Sequence, residues 1–108
     1  MIVWNEKFYM DDVVKRHPKR YKKRMYGKKI RSVYCIAISE DENNSLEIIS
    51  NRTFWFDYMR NKDLRLVGLA ADYDNAVDVV LEIVEDTFKA LGEINASSIK
   101  KYLLGQGA

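Results

Sequence analysis

Nucleophilic catalysis needs a base beside its nucleophile, and this chain offers one cysteine and one histidine for the task, Cys35 and His17. Cys35 lies in the middle of the apolar run 30–39, and His17 lies among cations just before Pro18. A buried structural thiol and a solvent-facing imidazole account for both, and one Cys with one His cannot build a zinc site. Asp72, Asp74 and Asp78 repeat the start of a calcium loop, but Val77 stands where the loop needs glycine and Ile83 where it needs a bidentate glutamate. Gly68 precedes a helix start, yet VGLAADYD lacks the repeated glycines and the lysine of a nucleotide loop, and its aspartates would repel a phosphate. The residues therefore point away from an enzyme and imply neither cofactor nor metal.

Two charge patterns remain. The stretch KRHPKRYKKRMYGKKIR, residues 15–31, holds ten of the 18 basic residues and none of the 16 acids, which leaves eight bases against sixteen acids elsewhere. A formal net charge of +2 thus hides a strongly polarised molecule. Lys15, Arg16, Lys19, Arg20, Lys22, Lys23, Arg24, Lys28, Lys29 and Arg31 are candidates for neutralising phosphates, with Tyr21 and Tyr26 interleaved to pack on sugar or base. Nucleic acid, or another polyanion, is the partner such a segment fits. The second pattern is Asp74, Asp78, Glu82 and Asp86 at successive i, i+4 positions. Like charges at that spacing destabilise an isolated helix by a few tenths of a kcal/mol per pair, at about 0.2–0.5 each. A cationic neighbour would reverse that cost. The alternative role for the basic segment is therefore a protein-protein or self-association module, in which it docks on this acidic face within the monomer or across a homodimer.

The elements that must carry these patterns follow from periodicity. Residues 2–4 could form a short strand, and helical structure is expected between Glu6 and Tyr26, broken near His17 and Pro18, with Val14, Pro18, Tyr21 and Met25 on one face. IRSVYCIAIS is the central strand, apolar on both faces, and SLEIIS returns after the polar turn 40–44 as the second arm of a hairpin. Residues 53–60 fit a short helix capped by Ser50 or Asn51, or an alternating strand. LRLVGLA is a further strand. From about 73 to 91 the spacing predicts a long helix with Tyr73, Val77, Val80, Val84, Phe88 and Leu91 as its buried stripe, an aspartate cap and a Gly92 stop. A last helix begins at Asn95 or Ser97, faces Ile99 and Leu103 inward, and ends at Gly105.

The expected fold is one α+β domain over 1–108 with the order (β)αββαβαα. Its sheet would be three-stranded and mainly antiparallel, or four-stranded in ferredoxin-like order if residues 2–4 pair. The run from LRLVGLA through DYDNAVDVVLEIVED resembles the strand-glycine-helix unit of various small bacterial proteins, a likeness that implies no particular activity. IVW and SLEIIS lack the glycine-aromatic signature of the RNA recognition motif. No apolar run nears the roughly 20 residues that span a bilayer, and the N-terminal residues lack the basic and apolar regions of a signal peptide. With a single cysteine, the expectation is a cytoplasmic, non-enzymatic binding protein with no membrane partner.

Overall fold

Among the described residues, four strands form one mixed sheet in the order β1-β4-β2-β3, with two helices on each face. The computed structural model describes residues 2–25, 33–39, 44–55 and 63–105. Along the chain these are β1 (Ile2–Met10), α1 (Asp12–Arg16), α2 (Pro18–Arg24), β2 (Tyr34–Ile38), β3 (Leu46–Ser50), a 3-10 turn (Asn51–Trp55), β4 (Leu64–Ala70), α3 (Tyr73–Leu91) and α4 (Ala96–Leu104). The class is α+β, as composition and pattern imply.

The sheet corrects the expected three-stranded antiparallel one. β2 pairs antiparallel with β3 and with β4, so the hairpin and its neighbour stand as read, but β1 adds on the far side of β4 and runs parallel to it. A ferredoxin-like order would put the first strand inside the sheet; here it is an edge. β1 also extends through Glu6–Met10, where helix was expected. Ile2, Trp4, Phe8 and Met10 pack toward one face and Tyr9 toward the other, a period of two that the exposed Glu6 and Lys7 obscure in the sequence. Of residues 53–60, the first three fall in the 3-10 turn and the rest lie outside the described residues.

An irregularity in both pairings of β4 shapes the centre. Ala37 pairs with Leu66 but Ile36 with Gly68, so Val67 is an extra residue. Against β1, Trp4 pairs with Leu66 and Tyr9 with Gly68, so Asn5 to Phe8 arch over that same single residue. Asn5 fills the arch. Its amide donates to the carbonyls of Lys7 and Leu103, both at 2.9 Å, while its oxygen accepts from Arg65 Nη1 at 3.2 Å. Because the bulge reverses the alternation, Gly68 faces α3, where an added Cβ would stand 3.2 Å from each of Ile36 Cδ1, Val79 Cγ1 and the Tyr9 carbonyl oxygen. Two of these neighbours can shift, but the backbone oxygen is tied into the sheet. Gly68→Ala should therefore cost about 1–3 kcal/mol, read from the urea midpoint. An unchanged midpoint would mean that the helix simply slides away.

The two faces have distinct cores. On one, Val14, Met25, Val33, Cys35, Ala37, Ile49, Leu64, Leu66 and Leu69 pack beneath α1 and α2. On the other, Ile36, Val67 and Ala70 meet Ala76, Val79 and Ile83 of α3 and Ile99 and Leu103 of α4. The expected stripe of α3 needs correction here. Its buried face is Ala76, Val79, Ile83 and Thr87, whereas Tyr73, Phe88 and Leu91 are exposed and Val77, Val80 and Val84 are half-buried. Thr87 can lie inside because its hydroxyl donates to the Ile83 carbonyl at 2.7 Å. The ends of α3 and α4 follow the sequence: Asp72 and Asn95 cap them, and Gly92 and Gly105 close them in the left-handed conformation at φ 76° and 70°.

Candidate polyanion-binding surface

The basic layer is built from one capping residue and three anchors. Asp11 caps α1 by accepting from the Val14 N–H at 2.7 Å, and its second carboxylate oxygen accepts from the Ala71 N–H at 2.9 Å, which ties the helix start to the end of β4. Pro18 occupies the first position of α2, where its missing N–H costs nothing. Val14 and Met25 are buried and Tyr21 half-buried, so one side of α1 and α2 rests on the sheet. The other sides carry cations.

Lys15, Arg16, Lys19, Arg20, Lys22 and Lys23 are all exposed. Arg24 is half-buried, its guanidinium 4.4 Å from the centre of the Tyr21 ring, so that Tyr21 is engaged by its own helix as well as by the core. Lys22, Lys23 and Arg24 suit the C-terminal end of α2, but no acid occupies its first turn to offset Lys19 and Arg20. The cations of this helix therefore repel one another. Tyr26, Lys28, Lys29 and Arg31 lie outside the described residues.

Two aromatic side chains that the charge pattern did not single out border this layer. Trp4 and Phe8 of β1 stand with ring centres 5.5 Å apart, and the Lys22 ammonium lies 5.4 Å from the first and 5.7 Å from the second. Their even spacing with Ile2 and Met10 is the signal that places them on this face.

The acidic stripe belongs to the opposite face of the sheet. Asp74, Asp78 and Glu82 are exposed on α3, while Asp86 is half-buried and accepts from the Tyr9 hydroxyl at 2.6 Å. The Tyr9 and Tyr102 hydroxyls are 2.7 Å apart, and Lys7 Nζ is 3.8 Å from the Tyr102 ring centre, so this cluster fastens β1, α3 and α4 together. Burial first, then the hydrogen bonds to Asp86 and Tyr102, raise the Tyr9 phenol above its ordinary range. Of the described cations on α1 and α2, Lys15 shares a groove with Asp78 and Glu82, at the turn between β1 and α1. The sheet stands between α2 and the stripe, so their pairing requires a second molecule.

Other chemistry has less to build on. Cys35 is fully buried and its thiol donates to the Ile49 carbonyl at 3.4 Å, while His17 is exposed at the helix junction. Among the described residues no group of three or more His, Cys, Asp or Glu is placed to hold a metal ion, and no helix is long and apolar enough to cross a membrane. An open cleft of about 480 Å³ lies between the β1 arch and the end of α4, but Asn5 and Arg65 on its wall already bond to each other. No protein-family model, no curated protein and no solved structure matches the chain.

Proposed function

We propose that the protein is a non-enzymatic, cytoplasmic binding protein that engages nucleic acid through the outer surface of α1 and α2. The observation that carries this reading is that six exposed cations from Lys15 to Lys23 belong to one helical layer, with the acidic stripe on α3 across the sheet and, of these six, Lys15 alone lining a groove with it. Phosphates would supply the missing counter-charge. Contacts of this kind position a backbone without reading bases, so selectivity among sequences should be slight. Trp4 and Phe8, beside Lys22, extend the surface with an apolar edge on which a sugar or an unpaired base could rest.

Fluorescence anisotropy with a labelled duplex, titrated at several salt concentrations, tests the reading. If about five phosphates are neutralised, log affinity should fall with log salt at a slope of roughly −4 to −5. Replacing Lys19, Arg20 and Lys23 together by glutamine should reduce that slope to about −2, since each phosphate contact contributes roughly 0.9. A slope near zero, or no binding at low salt, would remove nucleic acid as the partner.

A further inference from the structure

α1 and α2 meet in a bend at His17, whose backbone, at φ −143° and ψ 62°, belongs to neither helix. Its N–H donates to the Val14 carbonyl and its carbonyl accepts from the Tyr21 N–H, so the main chain there is held from both sides. The imidazole is exposed and makes no capping bond to α2. With Pro18, Lys19 and Arg20 it lines a shallow, open hollow of about 430 Å³. Lys15 and Arg16 precede it and Lys19 and Arg20 follow, so the one histidine of the chain stands between two Lys-Arg pairs.

The charged groups of the neighbouring elements occupy other places. Asp11 bonds the Val14 and Ala71 N–H groups, and Asp12 lines the groove with Lys15, Asp78 and Glu82. β1 and β4, the strands beneath α1, bring Glu6, Lys7 and Arg65, and these line the cleft beside the end of α4. On α2, Lys22 lies near the Trp4 and Phe8 rings and Arg24 over Tyr21, while Lys23 is exposed. Among the described residues, two cations and an imidazole line the hollow, and no carboxylate does.

Resting on the nucleic-acid reading above, we infer that this hollow seats one phosphate of the bound backbone between Lys19 and Arg20, and that His17 joins them when it takes up a proton, so that mild acid tightens binding. A phosphodiester keeps its charge throughout the range of about pH 5 to 8 in which a histidine changes its own. A phosphate beside the ring favours the imidazolium, so the complex holds more proton than its separate parts, and affinity rises as pH falls. A surface of fixed charges alone would bind equally well across that range. No second imidazole exists to share the effect, and the Cys35 thiol is fully buried and pushed up to about 12.

The test is the anisotropy titration of the labelled duplex, repeated over several salt concentrations at roughly pH 5.5 and roughly pH 7.5, the two sides of histidine titration. One proton-linked contact predicts affinity about 3- to 10-fold tighter at the lower pH, with a salt slope steeper by about 0.9. His17→Gln should bind no more tightly at the lower pH than at the higher. His17→Arg, charged at both, should be equally flat, yet bind at the higher pH as tightly as the wild type does at the lower. Far-UV circular dichroism checks that each variant folds, and either one alone decides should the other fail to. Salt-dependent binding that ignores pH, or a pH effect that survives in His17→Gln, would overturn the inference and leave the nucleic-acid reading standing. No binding at low salt at either pH would remove both.

Discussion

Asn51→Ala should lower the stability of the fold by about 2–4 kcal/mol, a large share of the roughly 5–15 kcal/mol that holds a domain of this size together. Asn51 is 1% exposed and joins three elements at the edge of the core beneath α1 and α2. Its backbone N–H donates to the Val33 carbonyl at 2.9 Å, its side-chain oxygen accepts from the Val33 N–H at 3.1 Å, and its side-chain amide donates to the Arg24 carbonyl at 2.8 Å. Alanine keeps the first bond and orphans a donor and an acceptor, each costing about 1–3 kcal/mol where water cannot reach. Asn51→Asp should be worse at neutral pH, because it sets a buried charge against the Arg24 carbonyl. Protonation restores a donor at that position. The aspartate's folded-state pKa is thus raised, and the variant should regain stability on acidification and lose it again as pH rises. Urea midpoints from pH 4 to 7 measure both effects; an Asp variant whose deficit does not change with pH would show that Arg24 has moved away.

A second large effect belongs to alkaline solution and to Cys35. Burial pushes its thiol up to about 12 from an ordinary 9.0, with weaker opposing help from hydrogen bonds. Between those values the unfolded chain releases a proton that the native chain keeps, so the native state binds more protons and stability falls as pH rises. The fall begins near pH 9 and continues toward 12, at up to about 1.4 kcal/mol per pH unit. Below pH 9 this group contributes no slope. Tyr9 also has a raised folded pKa and adds loss at higher pH, but a Cys35→Ala variant retains Tyr9, so the comparison isolates the thiol. The stability difference between wild type and Cys35→Ala should shrink by about 1 kcal/mol or more per pH unit between about pH 9.5 and 11, and level off toward 12. Parallel curves would mean that the thiolate is accommodated without opening the core.

The parts legible in the sequence are those whose causes are local. Asp72, Gly92, Asn95 and Gly105 delimit α3 and α4 because capping involves residues three or four apart, and the β2–β3 hairpin follows from two apolar runs around a polar turn. β1 was only partly legible. Its arch depends on Arg65 and on the Leu103 carbonyl, partners of Asn5 that lie 60 and 98 residues away. The face of α3 was misread for another reason: the helix is apolar around much of its circumference, and periodicity identifies the larger residues rather than those that fit. Ala76 and Val79 fit because Gly68 lets the helix approach, and Thr87 fits because its hydroxyl bonds within the helix. The large side chains left outside, Tyr73, Leu81 and Phe88, are more than half exposed. Of the candidate surface, the run of cations was readable but its exposure was not, because exposure depends on which face of the sheet α1 and α2 cover; the placement of Trp4 and Phe8 beside Lys22 depends on the path of β1.

The parallel pairing of β1 with β4 also sets a timetable for synthesis. Ile2 finds its partner only when Leu64 is available, and Tyr9 only when Gly68 is. At about 5–20 residues per second, the interval is on the order of 3–12 s. Through that interval Trp4, Phe8 and Met10 lack the strand and core that later shelter them, so the newborn chain displays a nine-residue ribbon with open hydrogen-bonding groups. The cations that follow immediately, from Lys15 to Arg24, accompany it out of the ribosome. Residues 1–24 carry eight bases against three acids, so two copies of this early segment repel each other.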